Sequence, residues 1–252
     1  MTGLKAKLIH KLKATSVHLF ISLIILLFFL YLILFEWYPE PFFTAQGGWQ
    51  GIQLMALVDL VLGPSLTFIV FNHLKQRKEI IFDLSLIAIV QVAALIWGGL
   101  QVYTQRPIAL VFWSDSFFTV TSDDYIAQGI DNPDFSQYSS YVPPLIYARP
   151  PHNLLELEAS RQLTERSIPI YAQTSLYETL EDNLEAVFLS QVDIEEVIAT
   201  NAEMKVQLAE ITDGDIASYK YLALKAKFHN MILIMKENGE LIGEVKAPIL
   251  SE

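Results

Sequence analysis

Hydrophobic positions fall along the chain in two different rhythms. Unbroken apolar runs occupy about 17–35, 51–71 and 80–102. Each approaches the ~20 residues that a helix needs to cross ~30 Å of hydrocarbon. The first run holds no charged residue and is too long for the 7–15-residue core of a signal peptide. Glu36-Trp37-Tyr38-Pro39 follows it in place of a small-residue cleavage site, so the run is expected to stay as an anchor.

Beyond residue 104 the runs become short. Ile108–Trp113 and Phe117–Thr121 read as strands around a Ser114-Asp115-Ser116 turn. Residues 131–151 read as loop, punctuated by Pro133, Pro143, Pro144, Pro150 and Pro151. Helical spacing predicts helices over Leu154–Arg166 and over Ser175–Gln191, the latter on Leu176, Leu180, Leu184 and Val187 or Phe188. Asp193 with Glu196 predicts the capped start of a helix reaching about Glu210, and Asp213-Gly214-Asp215 a turn. Tyr219–Ala226, Met231–Met235 and Leu241–Val245 predict strands, the last two joined at Asn238-Gly239 and stopped by Pro248. The expected architecture is a three-helix transmembrane bundle over 1–103, followed by an exported α+β domain over 104–252 with an antiparallel sheet.

Charge divides at the same place. The net charge of −11 is the sum of +2 on residues 1–103 and −13 on the rest. Lys5, Lys7, Lys11 and Lys13 precede the first run, and Lys75, Arg77 and Lys78 separate the second from the third. Positive charge is retained on the cytoplasmic side, so the N-terminus is expected inside and 104–252 outside. Trp37, Tyr38, Trp49, Trp97 and Tyr103 then fall at the outer interface. The acidic outer part disfavours nucleic acid and anionic lipid as its partners and permits a basic protein.

Candidate chemistry is sparse. The chain has no cysteine, and its five histidines (His10, His18, His73, His152, His229) lack metal-ligand spacing. Three of them belong to the cytoplasmic side or the adjacent span end. No phosphate-binding loop, dinucleotide glycine pattern or nucleophile elbow is present, so neither a catalytic residue nor a cofactor or metal is expected. The acid pairs Asp123-Asp124, Glu181-Asp182 and Glu195-Glu196 read as helix starts or solvated faces. Asp83 reads as an interface residue paired with the nearby bases.

Asp59 stands out, because a central aspartate costs roughly 2.5–3.5 kcal/mol on insertion scales. One reading is a protonated Asp59 hydrogen-bonded to Gln91 of the third run as glue between helices. The other is that Asp59 receives a polar or cationic group from a partner helix, in which case Asp59→Asn should impair partner recovery. Gly63-Pro64 lies one turn on and is expected to kink the helix, either opening a groove or serving only as a packing irregularity. Asp59, Gly63, Pro64 and Gln91 are therefore the candidate partner-binding residues. Ala94 and Gly98 form a small-residue pair suited to close helix approach.

The order of these features resembles the TfpX/TfpZ-type accessory proteins of type IV pilins over nearly the whole chain. The most specific stretch is Val58-Asp59-Leu60-Val61-Leu62-Gly63-Pro64-Ser65-Leu66-Thr67, followed by Val70-Phe71-Asn72. Trp37-Tyr38-Pro39, Gly47-Gly48-Trp49, Phe82-Asp83-Leu84, Val102-Tyr103 and Arg106-Pro107-Ile108-Ala109-Leu110-Val111-Phe112 also fit, as do Tyr221-Leu222 and Asn238-Gly239-Glu240-Leu241-Ile242-Gly243. Ala223, Ala226 and Lys227 depart from the family's pattern, and 122–215 resembles it least. The resemblance implies a non-catalytic inner-membrane helper that stabilises a type IV pilin or prepilin before assembly. Its partners would be that pilin, through membrane helix and globular head, and the lipid bilayer. A membrane-anchored periplasmic sensor or envelope-binding module is the alternative that the residues leave open.

Overall fold

The computed structural model describes residues 2–38, 42–72, 74–131 and 133–247. Pro39, His73 and Pro248, named above, lie outside the described residues. The chain divides into two units, Met1–Pro39 with Gly48–Tyr103, and Glu40–Gly47 with Thr104–Glu252.

In the first unit, helix α1 (Thr2–Tyr31) continues through a wider π-helical stretch, Leu32–Trp37. After the short helix α2 (Phe42–Ala45), which belongs to the second unit, come α3 (Gly48–Ala56), a π-helical stretch Leu57–Leu62 and α4 (Gly63–Val70). Helix α5 spans Arg77–Thr104. The helical stretches Lys7–Trp37, Gly48–Val70 and Arg77–Thr104 are each long and apolar enough to cross a membrane. Their outward side chains, among them Phe20, Leu27, Ile69, Phe82, Ile89 and Trp97, are exposed. Such surface is of the kind that lipid covers without cost.

Pro64 explains the π stretch. Proline has no N–H, and in an α-helix its ring clashes with the carbonyl four residues back. Widening the preceding turn removes that clash. The Gly63 N–H accordingly donates to Val58 O, five residues back. The expected irregularity is therefore a local widening that places Asp59 inside it. Polar contacts pin the ends of this unit. Lys11 Nζ donates to Ile69 O at 3.2 Å, which suits a cation at a helix C-terminus. Lys75 pairs with Asp83 at 2.6 Å, and Tyr38 Oη donates to Val102 O at 2.9 Å. Trp37 and Tyr103 stack edge to face beside it. The close glycine on α5 is Gly99, against the Phe29 ring, whereas Gly98 faces open space.

The second unit is an α+β domain around one seven-stranded sheet of order β4-β3-β1-β2-β5-β6-β7. Its strands are β1 (Pro107–Trp113), β2 (Ser116–Thr121), β3 (Leu145–Ala148), β4 (Tyr177–Thr179), β5 (Lys220–Lys225), β6 (Met231–Met235) and β7 (Leu241–Lys246). The sheet is mixed. β1–β2, β5–β6 and β6–β7 are antiparallel as expected, β3–β4 is an unexpected antiparallel pair, and β1–β3 and β2–β5 are parallel. The central strand β1 is buried on both faces. Leu110 and Phe112 join one core with Leu222, Leu233 and Met235, and Ala109 and Val111 join another with Tyr125 and Ile168. A strand covered on both sides reads as a continuous apolar run rather than an alternating one.

Helices cover the faces: α6 (Ser122–Ile126), α7 (Leu154–Glu165), α8 (Leu184–Phe188), α9 (Ile194–Thr200) and α10 (Ala202–Ile211). Three expectations fail here. Ser175–Gln191 is not one helix, because β3 has a free edge and Tyr177–Thr179 pairs along it. Tyr177 is held there by a 2.6 Å bond with the Tyr125 hydroxyl and by donating to Tyr171 O. Only Leu184–Phe188 keeps the helical rhythm. The loop expected over 131–151 contains β3, a short apolar strand disguised by its flanking prolines. Asp193 does cap α9, but that helix stops at Asn201, whose side chain caps α10 by accepting from Met204 N.

The segment between the first two apolar helices is part of this second core. Phe42 and Ala45 are fully buried among Leu110, Phe117, Leu224 and Met231. Ala45 O accepts from Phe228 N at 3.1 Å and His229 N at 3.3 Å. Gly47 takes φ +82, and a Cβ there would lie 2.5 Å from the Phe228 ring, so only glycine fits.

Helix α7 carries a pH-dependent cap. Glu156 accepts from His152 N and pairs with Arg149 at 2.7 Å. The Arg149 guanidinium first, and the His152 N–H second, hold its carboxyl down from an ordinary 4.5 to about 2. A depressed carboxylate contributes stability above its unfolded value and loses it as pH falls through the folded one. The start of α7 is therefore expected to loosen between about pH 4.5 and 2. Amide exchange at 154–157 checks this, and Arg149→Met should weaken the pH dependence, leaving the part due to the His152 N–H.

Candidate functional site

The site grows from the π-helical turn. A straight α-helix would carry Asp59 round the cylinder with its neighbours; the widened turn leaves its carboxyl facing inward, 1% exposed. Its Oδ2 has no hydrogen-bond partner among the described residues. The expected bond to Gln91 is not formed. Gln91 instead lays its amide over Gly63: a Cβ there would be 2.0 Å from Gln91 Nε2 and 3.0 Å from His18 Nε2. Glycine at 63 thus leaves the space in which the α5 amide and the α1 imidazole meet. The His18 ring is fixed by a 2.6 Å bond between Nδ1 and Thr67 Oγ1, one turn beyond Gly63.

Asp59 and Gln91 both line a cavity of about 570 Å³ within the first unit. Its walls are apolar side chains such as Val17, Ile21, Ile25, Leu84 and Leu95. Its polar lining includes His18, Ser22 and Thr67, with Lys13 and His10 toward the start of α1. Of the four residues singled out from sequence, Asp59, Gly63 and Gln91 are brought together. Pro64 is buried and shapes the turn without lining the cavity. Sequence reasoning missed His18 and Thr67. His18 sits two residues inside the first apolar run and was assigned to the span end. The signal available was polarity: His18 and Ser22 are four apart on one helix face.

An unpaired oxygen in such a place costs about 1–3 kcal/mol, more if charged. The arrangement can offer an acceptor at Asp59 and a donor at Gln91 to a group entering the cavity. Among the described residues, no cluster of three or more His, Asp or Glu could hold a metal.

Three curated relatives, all from Dichelobacter nodosus, are similar to this chain. The fimbrial assembly protein of serogroups C1 and C2 is 35% identical over 122 residues, which are 48% of this chain and 93% of that protein. The fimbrial assembly proteins of serogroups E1 and I are each 29% identical over 185 residues, 73% of this chain and 72% of each of theirs. No protein-family model and no solved structure matches the chain.

Proposed function

Because the chain belongs to the fimbrial assembly protein family, we propose that it is a non-catalytic inner-membrane accessory protein that stabilises a type IV pilin before and during pilus assembly. On this reading it is of the TfpX/TfpZ type, with three spans, a cytoplasmic N-terminus and a periplasmic second unit. The basic residues at Lys5–Lys13 and Lys75–Lys78 support that orientation. The observation that carries the proposal is the unpartnered Asp59 Oδ2, buried beside a largely apolar cavity between helices. A pilin awaiting assembly is itself a membrane helix with a globular head. The groove around Asp59, Gly63, Pro64 and Gln91 receives the helix, and the sheet domain receives the head. Two weak contacts on one chain reinforce each other through effective concentration.

Deleting the gene tests this. Pilin level, surface pili and twitching are expected to fall several-fold and to return with the intact gene. Unchanged pilin biology would remove the proposal.

A further inference from the structure

The start of α5 carries a charged hollow, apart from the cavity around Asp59. It measures about 530 Å³ and is lined by Lys75, Lys78, Glu79, Phe82 and Asp83. Lys75 and Asp83 satisfy each other at 2.6 Å and tie the turn before α5 to the helix. Among the described residues, Lys78 and Glu79 form no ion pair. Successive residues on a helix point about 100° apart, so these two do not face each other. Phe82 beside them is 69% exposed. The hollow thus offers a cation and a carboxylate to a ligand, over an aromatic floor.

The same helix face extends the site. Lys78, Phe82, Ile89, Ala93 and Ile96 follow at spacings that keep them within about 40° of Phe82. Ala88, Ile89, Val92, Ala93 and Ile96 line an apolar hollow of about 400 Å³. It lies about 9 to 21 Å along the axis from Phe82. One leaflet of the hydrocarbon is about 15 Å deep, so an acyl chain whose head sits beside Phe82 reaches it. Charge then decides which head. A phosphatidylglycerol head satisfies Lys78 but sets negative charge against Glu79. A phosphocholine head balances the charge, yet its trimethylammonium has no N–H for Glu79. A phosphoethanolamine head does both, its phosphate accepting from Lys78 and its ammonium donating to Glu79. We infer that this hollow holds one phosphatidylethanolamine, with its head between Lys78 and Glu79 and one acyl chain along the face from Phe82 to Ile96.

Native mass spectrometry of the full-length protein in detergent, titrated with dioleoyl phospholipids, tests this. One phosphatidylethanolamine per chain is expected to bind roughly tenfold tighter than phosphatidylglycerol or phosphatidylcholine, the worth of a charge-assisted hydrogen bond. Glu79→Gln should remove the advantage over phosphatidylcholine. Lys78→Gln should weaken both zwitterionic lipids together and leave that advantage in place. Both positions are exposed and glutamine suits a helix, so the fold should survive either change. Equal binding of the three lipids, tighter binding of phosphatidylglycerol, no retained lipid, or an unchanged response to either substitution would overturn the assignment. So would displacement of the lipid by glycerophosphoethanolamine, which has the head without the chains.

Discussion

Phe42→Ala will destabilise the second unit by roughly 3–5 kcal/mol, the usual cost of emptying a buried aromatic site. The residue is 2% exposed and touches a core built from strands more than sixty residues later in the chain. The sheet domain is thus completed by a segment that leaves α1 and enters α3. A fragment of residues 104–252 lacks that segment, so its apolar slot beside Phe228 and Met231 is left open. Denaturant unfolding of the full-length protein in detergent, followed by amide exchange in β6, measures the effect. Leu189→Ala, at a fully solvated position, should stay within about 0.5 kcal/mol. Equal behaviour of the two variants would place Phe42 outside the core.

Asp59→Leu is expected to move stability and function in opposite directions. Removing a central aspartate relieves an insertion cost of roughly 2.5–3.5 kcal/mol, and no hydrogen bond to Oδ2 is lost because none exists. The membrane unit should therefore melt higher in detergent. Pilin recovery should nevertheless fall to the level of a deletion strain, because the cavity has lost its acceptor. A residue kept for packing alone would behave otherwise: the variant would lose stability and keep its partner. Thermal melting of the purified protein and pilin co-purification from the same cells separate the two.

Much of the architecture is legible in the chain because lipid and water impose strong, local patterns. Twenty apolar residues in a row announce a span, and Asn238-Gly239 between apolar runs announces the β6–β7 hairpin, where Gly239 takes φ +87. Asp59 and Gln91 were visible for the same reason, as polar residues amid hydrocarbon. What escaped depended on partners distant in sequence. Phe42 and Phe43 sit between two membrane runs, and nothing local says that Ala45 O will accept from Phe228 and His229. Tyr177–Thr179 carries helical spacing around it, yet the open edge of β3 decides its conformation. β3 itself is four residues long, too short for any periodicity to outweigh the prolines beside it. His18 was hidden by counting the first span from its apolar run, whereas α1 begins at Thr2 and carries His18 to the level of Gly63.

A pilin helix seated in the cavity between these three helices, as proposed, can be trapped there. A photo-crosslinking residue at Gln91, which lines the cavity, and another at Trp97, 69% exposed on the outer face of α5, address it in living cells. A pilin adduct is expected from position 91 and none from position 97, with the adduct lost in Asp59→Leu. Adducts of equal strength from both positions, or none from position 91 while pilin still co-purifies, would contradict it.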